Sequence, residues 1–261
     1  MLRVLTLAFA LLATTAQAGE RYVSMGSSYA AGLGIAPYQE GAPARCARST
    51  RNYASQLAAK RSLTLVDVGC SGAKTSAILQ PWGELPAQID AVTPDTALVT
   101  VTIGGNDIGL VGGLYGASCR QLNEANCAPA TAPTEGDYAA LKTAMIGMVA
   151  AIRERAPKAQ IVLVEYPAIL PPTESCPATP MTDAEADAAR AKAARLLAIT
   201  REAAASGGAT VITTSEFSRG HDACATTPWM NGYPAPGAAP YHPNLAAMTA
   251  IANALDAALP R

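Results

Sequence analysis

Five short β-prone runs recur along the chain: Arg21–Met25, Leu63–Val68, Ala97–Ile103, Ile161–Tyr166 and Thr210–Thr214. Three of them end in turns of small or polar residues. The run 97–103 is nearly all apolar, as in a strand covered on both faces. Between the runs the apolar positions change to helical spacing. Tyr53 and Leu57 share one face of a predicted helix over 52–60, and Leu141, Met145, Met148 and Ile152 form the buried stripe of another over 137–155. Thr182 begins a long helix through Ala205, with Glu185 three residues on as in a capping box. A short helix over 85–92 and a terminal helix over 244–259 complete the set. Residues 112–136, with their glycines, two prolines and two cysteines, read as loop, and 216–243 as irregular. Strands alternating with helices predict an α/β protein with a parallel sheet of about five strands between helical layers.

Composition adds limits to that picture. Half of the residues are apolar, enough for a sizeable core, and no repeat or long linker divides the chain. A formal net charge of −1 gives no reason to expect nucleic acid or an anionic membrane as partner. Arg3, the apolar run Val4–Leu12 and Ala16-Gln17-Ala18 together read as a signal peptide over residues 1–18, too short to span a bilayer. The expectation is one domain over 19–261, secreted or periplasmic, without stable membrane insertion and monomeric. The six cysteines are Cys46, Cys70, Cys119, Cys127, Cys176 and Cys224, and an even number in an exported chain reads as disulfides. Cys119 and Cys127 bracket a short loop and are joined on that ground. Cys46 with Cys70 and Cys176 with Cys224 is the simplest assignment of the others.

The candidate chemistry sits in the turns. Gly26-Ser27-Ser28 follows the first run, Ser71-Gly72 the second and Gly104-Gly105-Asn106-Asp107 the third. In a parallel sheet these turns share one edge, where open α/β sheets place their ligands. A serine nucleophile at position 28 needs a base and, for the oxyanion, hydrogen-bond donors. Backbone N–H groups of Ser28 and Gly72 and the Asn106 amide supply three. Two histidines exist; His242, just ahead of the terminal helix, is the candidate base, and His221 reads as a loop residue. Two histidines without a spaced carboxylate partner make a poor metal site, so neither metal nor cofactor is expected.

These segments carry a resemblance. Gly26-Ser27-Ser28-Tyr29, Cys70-Ser71-Gly72-Ala73, Ile103-Gly104-Gly105-Asn106-Asp107-Ile108-Gly109 and Tyr241-His242-Pro243-Asn244 stand in the order of the four blocks of the SGNH hydrolases. The chain resembles that group, the GDSL lipase/esterase superfamily, and within it the secreted actinobacterial-type branch. The resemblance implies a three-layer α/β/α fold and hydrolysis through an acyl-enzyme on Ser28, with His242 as base and Ser28, Gly72 and Asn106 as oxyanion donors. It also implies three disulfides paired in sequence order.

Two positions depart from the pattern. Ser27 stands where the first block usually has aspartate, and Ala239 where the last block usually has the acid that orients the histidine. In similar family members a main-chain carbonyl takes over at that position, so the resemblance implies a Ser-His dyad, with the Ala239 main-chain carbonyl expected to hold the imidazole and Asp222 as the fallback. The leading reading is a serine esterase or lipase acting on a small-molecule or lipid ester. The alternatives are a carbohydrate O-acetylesterase and, from a different class, an inactive exported binding protein on the same scaffold. Asp107 and Glu165 are assigned local hydrogen-bonding roles.

Overall fold

The computed structural model describes residues 19–260. The expected signal peptide lies outside the described residues. In chain order the elements are β1 (Arg21–Gly26), α1 (Ser28–Ala31), α2 (Tyr53–Arg61), β2 (Thr64–Asp67), α3 (Ser76–Leu79), β3 (Thr96–Thr102) and α4 (Leu110–Gln121). There follow α5 (Glu135–Arg155), β4 (Gln160–Val164), α6 (Asp183–Ser206), β5 (Thr210–Ile212), α7 (Thr214–Phe217) and α8 (Leu245–Ala258). All five expected strands are present, with ends shifted by a residue or two. Every pairing is parallel, in the order β2-β1-β3-β4-β5.

Period-two alternation along the strands divides the core. Tyr22, Leu98, Val162, Val164 and Ile212 face Tyr53 and Leu57 of α2 and Met248, Ile251 and Leu255 of α8. Val23, Val99, Val101, Ile161 and Leu163 face the other way. There they meet Leu141, Met145, Met148 and Ile152, the stripe expected of α5, together with Leu196 of α6. The sheet is thus covered on both faces, as its apolar runs require. The capping box of Thr182 and Glu185 is formed at the start of α6.

Two expectations fail. Residues 112–136 are not all loop, because α4 runs to Gln121. Gly112, Gly113 and Gly116 hid a helical stripe made of Leu110, Leu114, Ala117 and Ser118. At Gly113 a Cβ would stand 3.2 Å from Lys192 Nζ, so the helix approaches α6 closely there. The helix expected over 85–92 is only a short 3-10 turn, Gln88–Ala91. Its place is set by a side chain: Gln88 Oε1 accepts from Gly26 N (2.7 Å), and Gln88 Nε2 donates to Gly26 O (3.0 Å).

The three disulfides join Cys46 to Cys70, Cys119 to Cys127 and Cys176 to Cys224. The sheet order reverses direction between β1 and β3. That switch point opens a crevice beyond the carboxyl ends of the two strands.

Candidate active site

Ser28 opens α1 directly beyond β1. Gly26 precedes it with φ +136°, and a Cβ there would lie 2.2 Å from Thr102 O, so only glycine lets β1 leave the sheet at this point. Ser27 N donates to Thr102 O at 2.9 Å, which fixes the exit to β3. Ser28 is left at the crevice, 6 % exposed.

His242 reaches it from the far end of the chain. Its Nε2 is 2.8 Å from Ser28 Oγ, and its Nδ1 is 2.8 Å from the carbonyl oxygen of Pro240. A carbonyl oxygen only accepts, so Nδ1 carries the proton and Nε2 turns its lone pair to the serine hydroxyl. The ring is 5 % exposed. Burial pushes its pKa down to about 4, against a smaller opposing effect of the Pro240 carbonyl. The imidazole is therefore neutral and able to take a proton.

The orienting carbonyl is not the one expected. Ala239 O instead accepts from Asn231 Nδ2 (3.0 Å) and, across a tight turn, from His242 N (3.3 Å). Tyr241 adopts the left-handed conformation in that turn (φ 55°), and the chain doubles back so that Pro240 O meets the ring. Asp222, the fallback, is buried and uses Oδ1 to accept from Cys224 N at 2.9 Å.

The other two turns are tied in beside the first. Cys70 N donates to Gly26 O (3.0 Å), and Ser71 N donates to Cys46 O (3.2 Å) across the disulfide. Beneath them, the Asp67 carboxylate accepts from Gln39 (2.8 Å) and Asn52 (2.7 Å). Gly72 has φ +85°, and a Cβ on it would meet the Trp82 ring at 3.3 Å. Asn106 Nδ2 donates to Ala73 O (2.9 Å), which spends one of its two amide hydrogens on the Gly72 loop and leaves the other. Asp107 accepts from Thr75 N (3.1 Å) and Thr75 Oγ1 (2.5 Å), so it bridges two turns rather than closing its own. Among the described residues the N–H groups of Ser28 and Gly72 donate to no protein acceptor. Glu165, directly beyond β4, is paired with Arg201 (2.6 Å) and Ser215 (2.5 Å). His221 stacks on Trp229 in the loop.

Sequence reasoning missed two tyrosines. Tyr166 Oη lies 3.1 Å from Ser27 Oγ and accepts from Gly105 N (3.2 Å), and Tyr29 donates to the carbonyl of Tyr241. A signal existed for each: Tyr166 closes a strand run ahead of Pro167, and Tyr29 is the residue after Ser28. Behind Tyr166 lies an apolar cavity of about 450 Å³, walled by Leu110, Leu114, Ile169 and Leu170, with Arg190 and Arg219 among its polar lining. Ser28 and His242 do not line it; Tyr166, which is bonded to Ser27, does.

A switch point of this topology, with a serine and a neutral histidine in hydrogen-bond contact there, defines the class: a serine ester hydrolase built on an α/β/α sandwich. Comparison with known proteins agrees. The sequence profile of the GDSL-like Lipase/Acylhydrolase family matches residues 24–250. The chain is 34 % identical over 254 residues to Lipase 2 of Streptomyces coelicolor, covering 85 % of this chain and 80 % of that one. The crystal structure of an extracellular lipase from Streptomyces rimosus superposes with a TM-score of 0.75 at 27 % identity, covering 92 % of this chain and all of that one. That of a phospholipase A1 from Streptomyces albidoflavus gives 0.76 at 25 % identity, covering 93 % and 100 %. The chain belongs to the GDSL-like lipase/acylhydrolase family.

Proposed function

We propose that this hydrolase cleaves carboxylic esters with a fatty acyl part through an acyl-enzyme on Ser28, using a Ser-His dyad. As Ser28 Oγ attacks the ester carbon, its proton passes to His242 Nε2. The carbonyl π electrons move to the oxygen, which takes hydrogen bonds from Ser28 N, Gly72 N and the free Asn106 amide hydrogen. Each such donor is worth about 3 kcal/mol of barrier. Collapse re-forms the carbonyl and breaks the bond to the alcohol oxygen, which leaves with the proton from Nε2. Water then repeats the sequence on the acyl-serine and releases the acid. Pro240 O holds the Nδ1 proton throughout, in place of a carboxylate.

The observation that carries this reading is the unbroken relay from Ser28 Oγ through the buried ring to Pro240 O, two contacts of 2.8 Å each. The apolar cavity, which shares Tyr166 with the Ser28 turn, supports an acyl chain rather than acetyl alone. So does the similarity to proteins described as lipases and a phospholipase A1. Three disulfides and the likeness to an extracellular lipase support export. Among the described residues no helix is long and apolar enough to cross a membrane.

The test is a series of p-nitrophenyl esters from acetyl to long acyl. The expected result is hydrolysis that improves beyond acetyl and is abolished in Ser28→Ala, with fluorophosphonate labelling at Ser28. Activity confined to acetyl would favour a carbohydrate O-acetylesterase. An unlabelled wild type would favour a binding protein.

A further inference from the structure

The Pro240 bond leaves a mechanical problem unsolved. It is local, two residues back along the same turn, so it sets the tautomer and tilt of the ring. It does nothing to fix that turn relative to Ser28. Two buried phenols supply the missing link. Tyr29, the residue after Ser28, donates to the carbonyl of Tyr241, the residue before His242. Its ring also packs on the imidazole, with centroids 5.1 Å apart. Tyr241 is in turn anchored through its own hydroxyl to Ser118 of α4.

Tyr166 does the corresponding task on the other side. Its oxygen accepts from Gly105 N and shares a second hydrogen bond with Ser27 Oγ. Ser27 precedes Ser28 and Gly105 precedes Asn106. The phenol therefore joins the nucleophile turn to the turn that carries the amide donor. At Gly105 a Cβ would stand 2.7 Å from Tyr166 Oη, so this approach depends on glycine. The two phenol rings lean on each other with centroids 4.3 Å apart. Both tyrosines are almost wholly buried, and Ser27 is fully so.

We propose that Tyr29 and Tyr166 are positioning residues that brace the base turn and the amide turn against the two sides of Ser28. Neither exchanges a proton with substrate. Their contribution is alignment, where a displacement of about 1 Å costs on the order of 10²-fold in rate. The inference rests on the reading of Ser28 and His242 as nucleophile and base.

The experiment removes one oxygen at a time. Tyr29→Phe and Tyr166→Phe keep both rings and the packing. Competent sites are counted by the end point of fluorophosphonate labelling, and kcat is expressed per labelled site on a p-nitrophenyl ester. Tyr29→Phe is expected to lower kcat per site by about ten- to a hundred-fold with KM little changed. It should also move the acid limb of the rate profile upward, because a loosened ring meets water. Tyr166→Phe should lower kcat per site by about ten-fold without moving that limb, since its bonds lie on the amide side. Ser118→Ala, one bond further out, should reproduce the Tyr29→Phe effect more weakly, and serves if Tyr29→Phe yields no folded protein. Wild-type kcat per site in the phenylalanine variants, or activity that falls only with the folded fraction, would overturn the proposal. A wild type that neither labels nor hydrolyses would instead sink the underlying reading of the site.

Discussion

The turn that presents Ser28 and the turn that presents His242 are held by different means. The first grows out of an interior strand. Gly26 is bonded on both its N–H and its C=O by Gln88, its carbonyl also takes Cys70 N, and Ser27 N is bonded to β3. The second ends a stretch, residues 218–244, that contains no helix and no sheet strand. Within itself it is held by Tyr241 N to Asn231 O (3.0 Å), Asn231 N to His242 O (3.0 Å) and Asn244 N to Trp229 O (2.8 Å), and from outside by the Tyr29 phenol and Ser118. Further along, the Cys176–Cys224 disulfide and the bonds from Ala223 N to Ile169 O (3.0 Å) and from Tyr233 N to Ala178 O (2.8 Å) tie the stretch down. The proposed nucleophile is thus built into the core, and the proposed base is laid over it. Damage to the first turn should cost stability and activity together, whereas damage to the second should cost activity alone.

The largest effects test that contrast directly. In Gly26→Ala the new methyl meets Thr102 O at 2.2 Å, in a backbone conformation that L residues avoid. A loss of at least about 3 kcal/mol is expected, with activity falling alongside the folded fraction. His242→Ala should instead lower turnover by about 10⁴-fold with Tm within about 4 °C of the parent. Calorimetry on both variants, beside ester turnover, decides it. Equal losses of Tm would mean that the two turns are built into the core alike.

A second effect, smaller, sharpens the comparison because only the base turn titrates. His242 is held below its ordinary pKa by burial, at about 4. The ionisable side chains against it, Tyr29 and Tyr241, are phenols raised by burial, so they do not titrate in the acid range. In the proposed dyad the neutral ring is the working form, so kcat/KM should hold as pH falls past 6.5 and drop only near 4. Stability has the same sign. The unfolded chain takes up the proton below about 6.5 and the folded one does not until about 4, so the contribution of this group is lost across that interval. An acid limb at 6.5 would mean a hydrated ring, and a base turn looser than its contacts imply.

The same difference decided what could be read from the sequence. The sheet was legible because its inner strands β1, β3 and β4, buried on both faces, must be largely apolar, and the half-exposed edge strands β2 and β5 keep β-branched residues. The turns of Ser28, Gly72 and Asn106 were legible as glycine-bearing interruptions of those runs. Helix α4 was not, because its three glycines, Gly112, Gly113 and Gly116, look like loop, although Gly113 and Gly116 serve its close approach to neighbours. The choice of Pro240 over Ala239 turned on the positive φ of Tyr241, a residue type that gives no hint of it. The bonds of Tyr166 were invisible because they join positions 139 and 61 residues apart through one oxygen.

The smallest expected effect concerns Asp222, the one acid that sequence reasoning offered the base. Its carboxylate lies in the base stretch and is buried, but its Oδ1 accepts from Cys224 N and thereby closes the turn at the disulfide. An asparagine side chain in its place would keep an oxygen there and the same shape, and so could accept the same bond. If the imidazolium formed during attack is steadied only by Pro240 O, Asp222→Asn should leave kcat within about three-fold of the parent and the acid limb unmoved. If instead the Asp222 charge acts on the ring across the gap, the loss should approach the roughly 10⁴-fold cost of neutralising a triad aspartate. The two outcomes differ by more than any packing effect of an isosteric change can blur. Turnover near the parent value would leave a backbone carbonyl sufficient to orient this base, as its 2.8 Å contact with Nδ1 implies.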